Sequence, residues 1–526
     1  PLEHYTDAVI YEMHVRDFSI DKSGNFCYKG RFLAFVEKGV INAAGDKIGI
    51  DHLKELGVTH VHLMPSFDYQ TVDETRLNVP QFNWGYDPQN FNCPEGSYST
   101  NPYDGRARVA EFKRLVHALH CQGIRVIMDV VYNHTYATAD SPFNKIFNKY
   151  YYRLWGENGE YFSNGSGCGN EIATERFMVR KYIIDSLVYW ATEYKIDGFR
   201  FDLMGLYDIE TMNKIDETLH AINPDIILYG EGWIGGDSPL ADSKRAMKLN
   251  ARHTPNIAFF SDDFRDTIKG NNFENRSRGY VNGATGSEEY VKEVMCGRIP
   301  HPQIPNLTKF AWTLSPCQTV NYVEAHDNLT LWDKLIYTNP TDSLDTRKKM
   351  DKMAAACVFL AQGIPFIQAG QDFLRSKPLP GGAYDHNSYN SPDAVNSLKW
   401  DRKSEFRDVF DYYKGLIEFR KAHSALRMFT AEDIGRNMKF FDHLPQRIVG
   451  FGLYGDCELE EIIVFFNPTN DDITLHAFGE YNVYIDGDNA GNKPLYTVCD
   501  DYIIKPHSTM VMGRPYPKPE EEEAAE

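Results

Sequence analysis

The sequence predicts an α/β protein: a (β/α)8 TIM-type barrel with a loop excursion after its third strand and a C-terminal antiparallel β-sandwich. Three observations carry that prediction. Short apolar, β-rich runs alternate with longer helical patterns, the rhythm of parallel strands joined by crossover helices. Eight such runs interleaved with helices suit a closed barrel enlarged by insertions, whereas an open doubly wound sheet is complete with about six. After about Phe429 the helix signal fades and closely spaced β-like runs replace it, the pattern of a small antiparallel sandwich.

The barrel strands are expected at 8–14, 59–64, 125–132, 197–202, 226–231, 256–260, 319–324 and 364–369. Helices are expected at 51–56, 108–121, 175–194, 209–221, 346–360 and 405–421. In 108–121, Val109, Phe112, Leu115, Val116 and Leu119 recur at helical spacing, with Glu111, Lys113 and Arg114 outside that stripe, so one face is apolar. Residues 133–170, rich in Asn, Gly, Tyr and Phe, break the alternation and read as an irregular excursion. The sandwich strands are expected at 448–453, 461–466, 472–476, 481–485 and 508–513. Domain boundaries follow: a barrel at 1–428, a sandwich at 429–514, and at 515–526 an acidic tail or linker with Pro515, Pro517, Pro519 and a run of Glu.

Composition narrows the function. The 526 residues carry 55 Lys and Arg against 74 Asp and Glu, a net charge of −19. No basic stripe offsets it, so nucleic acid and anionic membrane surfaces are disfavoured as partners. The longest apolar stretch, 353–370, is interrupted by Gln362, Pro365 and Gln368 and reads as a buried helix followed by a strand, not as a membrane span. No signal peptide is visible, and the chain starts at Pro1, as a processed or excised piece would. The nine Cys are scattered without a C-x-x-C pair, which leans toward reduced thiols and a cytoplasmic location. A segment of a secreted multidomain protein is the alternative. A monomer is expected.

In barrels of this type chemistry sits where strands end. The fourth strand ends in Gly-Phe-Arg-Phe-Asp (198–202), offering Asp202, and the fifth in Tyr-Gly-Glu-Gly-Trp (229–233), offering Glu231. The seventh runs into Glu-Ala-His-Asp-Asn (324–328), offering Asp327, and the third ends in Asp-Val-Val-Tyr-Asn-His (129–134), adding His134. Arg200 and Asp202 are two apart, so on a strand they share a face. A single strand-end acid is commonly a cap or a salt-bridge partner. Three with an Arg and two His suit an oxocarbenium-like transition state, in which one carboxylate attacks and one carboxylic acid protonates the leaving oxygen. Trp84, Tyr86, Trp233 and Trp332, in the same loops, are candidates to stack on pyranose faces, although each alone reads as well as core.

The ordered set DVVYNH, GFRFD, GEGW and EAHDN resembles the signature regions of the alpha-amylase superfamily of glycoside hydrolases. The segment Asn-Trp-Gly-Tyr-Asp-Pro (83–88) resembles the type I pullulanase signature, with Phe82 where a Tyr usually opens it. Residues 9–18 and 169–176 are similar to pullulanase and debranching-enzyme sequence as well. The resemblance implies Asp202 as nucleophile, Glu231 as general acid/base and Asp327 as transition-state stabiliser. It implies that Arg200 keeps Asp202 ionised, that His134 and His326 bond sugar hydroxyls, that Tyr86 stacks beneath the sugar and that Trp233 lines the acceptor side. Asp87 and Asn328 are ranked below these as substrate contacts, and Trp84 stands with the stacking aromatics. A retaining double displacement is implied, with roughly 5–5.5 Å between nucleophile and acid.

The activity so implied is cleavage of alpha-1,6 bonds in pullulan, amylopectin and glycogen-derived dextrins. An alpha-1,4-acting or dual-specificity amylase, a transglycosylase and a non-catalytic alpha-glucan-binding barrel are the alternatives; the presence of all three acids weighs against the last. Type I pullulanases usually carry starch-binding modules before the barrel, whereas here the first strand opens within ten residues of Pro1, which implies weaker affinity for long polymer. No cofactor is expected to be required and no metal ligand is assigned. A structural calcium through Asn133 with Asp140, Asn144, Asn148 and Glu157 is left open, since calcium asks for about six to eight oxygens. Gly165, Gly167 and Gly169 read as a flexible loop near the site, and Asp208, Asp262, Asp263 and Glu324 as ordinary acids.

Overall fold

The structure, a computed structural model, describes residues 2–305 and 311–517, apart from the side chains at 477 and 478. Eight parallel strands close into a barrel in chain order. They are β1 (Ile10–Met13), β2 (His60–Leu63), β3 (Arg125–Val130), β4 (Gly198–Phe201), β5 (Ile227–Gly230), β6 (Ala258–Phe260), β7 (Thr319–Asn321) and β8 (Ile364–Gln368). Each lies within its predicted run, and β8 returns to β1 with Ile10 opposite Phe366. The strand period of two sorts each strand into an inner and an outer set. Ile10, Ile127, Ile227, Tyr229, Ala258, Phe260, Val320, Tyr322, Ile364 and Phe366 fill the interior. Their outward neighbours join the larger core beneath the helices.

The same parity decides where the polar residues go. Arg200 and Asp202 follow Gly198 on the inner face of β4, and Glu231 follows Ile227 and Tyr229 on that of β5. Gly198 is required by closure: a Cβ there would lie 2.8 Å from the Ile227 carbonyl oxygen and 2.9 Å from Ile127 Cγ1. Above the apolar layer the interior becomes charged, with Glu12, His62, Asp129 and Arg200 all 2% exposed or less.

The crossover helices start on side-chain caps. Asp104 accepts from Arg106 N at the head of Gly105–His120, Asp208 from Thr211 N at Ile209–Ile222, and Ser343 from Thr346 N at Leu344–Leu360. The last of these is buried on every side from Met350 to Leu360, because it lies between the barrel, the helix Arg407–Ala422 and the C-terminal domain. The apolar stretch that could have suggested a membrane span is thus a helix and the strand β8. Among the described residues no helix is long and apolar enough to cross a membrane.

The C-terminal domain has six antiparallel strands: β9 (Met438–Phe440), β10 (Val449–Tyr454), β11 (Leu459–Asn467), β12 (Ile473–Ile485), β13 (Tyr496–Ile504) and β14 (Ser508–Pro515). They hydrogen-bond as one sheet in the order β9-β10-β11-β14-β12-β13. One face, with Ile463, Phe465, Tyr481, Val483, Tyr502, Met510 and Met512, encloses its own core. The other, with Phe451, Leu453, Ile462, Val464 and Val511, joins the barrel core. The sandwich is therefore a single curled sheet, each of whose faces contributes to a core. The two runs expected at 472–476 and 481–485 are one strand, its register shifted between His476 and Glu480, where Gly479 takes φ 105°. Pro515 ends β14 and the Tyr516 hydroxyl donates to the Asp456 carbonyl; the acidic run of the expected tail lies outside the described residues.

Candidate active site

At the C-terminal ends of the strands, one guanidinium organises the cleft. Arg200, 2% exposed, donates from Nη1 to Asp202 Oδ1 and Asp129 Oδ1 at 3.0 Å each. Its Nη2 lies 2.8 Å from Glu231 Oε1. Asp202 is held from the other side by Asn133, whose Nδ2 donates to Oδ2 at 2.6 Å and to the Asp202 carbonyl at 2.7 Å. Glu231 Oε2 accepts from the Leu203 backbone N–H at 3.0 Å. Leu203 takes φ 40° and ψ 51°, the left-handed region that costs a side-chain-bearing residue about 1–2 kcal/mol. That turn aims its N–H at the carboxylate one strand away.

The glycines on either side of Glu231 have a steric reason. A Cβ on Gly230 would sit 2.5 Å from the Phe201 carbonyl oxygen, and one on Gly232 2.7 Å from Lys248 N. Both are below any ordinary carbon contact, so Gly230 lets β5 lie this close to β4 and Gly232 lets the chain at Lys248 pass close behind Glu231.

The two acids differ electrostatically. Burial pushes Glu231 up to about 7, with Asp202 and Asp327 adding to the rise and Arg200 opposing it. Burial also raises Asp202, but Arg200 and the Asn133 amide act against it. The expected ionising influence of Arg200 is present and is set against desolvation. Asp327 stands at the rim with its side chain 55% exposed and its Oδ2 3.8 Å from His326 Nε2.

The other predicted contacts fall into two groups. Tyr86, His326, Trp233 and Asn328 surround the carboxylates. Tyr86 lies nearly parallel to His326 at 5.0 Å, and its hydroxyl donates to Asp129 Oδ2 at 2.7 Å. Trp233 and Asn328 line a cleft of about 500 Å³ together with Glu231 and Asp327; Asn328 has φ 66° and accepts from Asn272 Nδ2. The remainder are held by protein. His134 is 2% exposed, with Nε2 2.9 Å from the Tyr86 carbonyl oxygen and Nδ1 against Asn133 Oδ1; burial pushes it down to about 4. It thus ties the Tyr86 loop to Asn133. Asp87 accepts from Thr71 N at 2.7 Å and from the Thr71 hydroxyl, closing a loop. Trp84, 7% exposed, packs edge-on to His326 at 4.9 Å. Trp332 is 6% exposed and packs beside Phe406 in the helix layer, away from the cleft. Phe82 packs on His14 at 4.6 Å.

Three buried groups went unnoticed in the sequence. Glu12 on β1 accepts from the His326 backbone N–H at 2.8 Å and lies 2.7 Å from its Nδ1. Asp129 receives Arg200, the Tyr86 hydroxyl and His62 Nε2, the last at 3.0 Å. The signal was available: Glu12, His62 and Asp129 are charged or polar residues on the inward parity of apolar strands, and a buried charge implies a partner.

The excursion packs against the loop after β5 and is more ordered than expected, with a short helix Pro142–Ile146 and a hairpin of Leu154–Trp155 with Tyr161–Phe162. The Gly165 carbonyl accepts from Gly235 N and Gly236 N at 3.0 and 2.8 Å. Three of the residues considered for calcium have partners within the chain. Both ends of the Asn133 amide face Asp202 and His134, Asp140 pairs with Lys145 at 3.6 Å, and Asn144 Oδ1 accepts from Lys149 N. Among the described residues the one acidic cluster of metal-binding dimensions is Asp68, Glu74 and Glu95, with oxygens within 4.8 Å of one another. Arg108 already supplies its positive charge, 2.6 Å from Glu74 and 3.5 Å from Asp68. That cluster borders a groove of about 1260 Å³ that holds none of the three strand-end acids.

The model of the alpha-amylase catalytic domain matches residues 37–155. The chain is 41% identical over 480 residues to pullulanase of Bacillus subtilis (strain 168), covering 90% of this chain and 64% of that protein. Among solved structures it is similar to the pullulanase of Bacillus acidopullulyticus, at TM-score 0.91 and 43% identity, covering 97% of this chain and 61% of that one. It is similar also to the pullulanase of Paenibacillus barengoltzii in complex with maltohexaose and alpha-cyclodextrin, at TM-score 0.91 and 42% identity, over 98% of this chain and 78% of that one. The chain thus spans a little under two thirds of the length of the first two relatives.

Proposed function

The chain belongs to the pullulanases of the alpha-amylase family, and from that premise we propose that it hydrolyses alpha-1,6-glucosidic branch bonds by a retaining double displacement. The observation that carries the chemistry is the pair of acids at the two ends of the Arg200 guanidinium. Asp202 is the nucleophile. Its carboxylate, fixed by Arg200 and Asn133, attacks the anomeric carbon while the bond to the leaving oxygen breaks. Glu231 is the acid: pushed up to about 7, it holds its proton below neutral pH and gives it to that oxygen. In the second half it takes a proton from water, which displaces Asp202 from the sugar. Asp327 at the rim opposes the positive charge that builds at the anomeric carbon.

Substrate class rests on the family and on the Asn-Trp-Gly-Tyr-Asp-Pro segment, and is supported by the maltooligosaccharides bound in related pullulanases. Tyr86 and Trp233 offer apolar faces beside the acids. The proposed partners are alpha-glucan polysaccharides and oligosaccharides, and the chemistry so described asks for no cofactor. The test is product analysis on pullulan with linear amylose in parallel. Maltotriose from pullulan and intact amylose are expected; panose, isopanose or shortened amylose would mean alpha-1,4 cleavage instead. No product from either would remove the hydrolytic reading.

A further inference from the structure

Strand β1 is lined by apolar and aromatic residues except at Glu12, which faces the barrel interior and is 1% exposed. A carboxylate there is costly unless paired. Both of its oxygens are taken by one residue from across the barrel mouth: Oε2 by the His326 backbone N–H at 2.8 Å, Oε1 by the ring at Nδ1, 2.7 Å away. The opposite ring nitrogen, Nε2, faces Asp327 Oδ2 at 3.8 Å. The imidazole is therefore bracketed by two carboxylates, with the Tyr86 ring nearly parallel at 5.0 Å and the Trp84 ring edge-on at 4.9 Å. The remaining charges around it are Arg200 on β4 and Asp129 on β3, His62 on β2 beside Glu12, and Lys377, whose Nζ donates to the His326 carbonyl at 3.0 Å. An imidazole with an anion at each nitrogen is most stable as the cation, a donor at both ends.

We propose that Glu12 is a positioning residue of the hydrolytic centre: it keeps His326 doubly protonated, so that its Nε2–H points as a donor toward Asp327 and the sugar at the cleavage point. Burial alone would push the imidazole down, but Glu12 and then Asp327 raise it to about 9. Without Glu12 the ring loses its stronger anionic partner. A ring that gives up one proton keeps at most a neutral N–H at Nε2, so the charge-assisted donor facing Asp327 and the sugar is replaced by a weaker one.

For its effect on rate the inference rests on the debranching reading above; for the state of the ring it does not. The test combines two measurements on the whole chain. In a 15N-histidine-labelled sample, with His326 assigned by its absence in His326→Asn, the ring is expected to titrate above pH 8 in the wild type and at least about one unit lower in Glu12→Gln. On pullulan, the wild-type alkaline limb of kcat/KM follows Glu231 alone and falls with the loss of one proton. In Glu12→Gln it is expected to move to lower pH and steepen toward two protons, with about ten-fold more activity lost at pH 8 than at pH 5. A rate loss equal at all pH values, with the ring titrating where it does in the wild type, would make Glu12 merely structural and overturn the proposal. So would a wild-type ring that titrates below pH 7, a result independent of how the variant folds. Inactivity of the wild type on pullulan would instead remove the debranching reading and leave the ring titration to decide on Glu12.

Discussion

Replacing Glu231 by Gln keeps size and shape while removing the proton and the charge, and the structure sets what each removal does. Two donors converge on the carboxylate: Arg200 Nη2 at Oε1, 2.8 Å away, and the Leu203 N–H at Oε2, 3.0 Å away. An amide accepts only one of them, so one donor is left opposite an NH2 group, at a local cost of about 1–3 kcal/mol. Against this stands a gain that depends on pH. The fold raises Glu231 from its ordinary 4.5 to about 7, so it favours the neutral acid. The stability this group contributes is fully present below pH 4.5 and is lost as pH rises through 7. At about 1.4 kcal/mol per unit the loss is bounded by about 3.5 kcal/mol. Glu231→Gln abolishes that dependence, so it is expected to melt below the wild type at pH 5 and to close most of the gap by pH 8. Catalytically, turnover of pullulan is expected to fall by about 10²–10⁴-fold. An alpha-maltotriosyl fluoride, whose leaving group needs no proton, is expected to lose far less in its first step. The assays are initial rates on both substrates and thermal melts at the two pH values. Equal losses on pullulan and on the fluoride would refute Glu231 as the acid, and a melting difference that does not change with pH would refute its raised proton affinity.

Asp202→Ala is expected to abolish turnover while leaving maltotetraose binding and the melting temperature close to wild type, measured by calorimetry; near-wild-type activity would remove the central assignment. Asn133→Ala withdraws the amide that opposes the upward push of burial on Asp202. Its acid limb of kcat/KM should therefore move to higher pH with the alkaline limb in place, and an unmoved acid limb would show that Asn133 only supports the loop. Gly230→Ala places a Cβ 2.5 Å from the Phe201 carbonyl oxygen. It should cost about 1–3 kcal/mol in a denaturant melt and a disproportionate loss of kcat, because relief means moving β5 and Glu231 away from β4; unchanged kcat would contradict that packing.

Much of this molecule was legible one strand at a time. The alternation of apolar runs with helical patterns gave all eight barrel strands because parallel-strand barrels bury both strand faces, and such runs stand out whatever surrounds them. The strand-end rule nominated Asp202 and Glu231 because a strand's period of two makes facing direction a matter of parity, whereas Asp327, in the loop beyond β7, was nominated by the Glu-Ala-His-Asp-Asn segment. Strand β13 escaped for the complementary reason. It is an edge strand with a mostly exposed surface, interrupted by Asp500 and Asp501, and such edges carry little apolar signal. The break expected between 472–476 and 481–485 also failed to appear, since the bulge at Gly479 carries one strand through what reads as a turn.

What the sequence by itself determined is the fold class, the order of the elements and the family resemblance, with the three acids as its candidates, all read from short segments of fixed spacing. Tertiary structure alone decided which side chains meet. Glu12 and His326 are separated by 314 residues and Arg200 and Asp129 by 71, and no local pattern states which buried charge answers another. It decided too that Tyr86 and Trp233 flank the acids while Trp332 belongs to the helix layer, since an aromatic at a loop is the same residue in either setting. The physical reason is common to all of these. Burial and charge pairing are settled across the closed barrel, and only closure brings the two members of each pair within a few ångströms where burial limits screening by solvent.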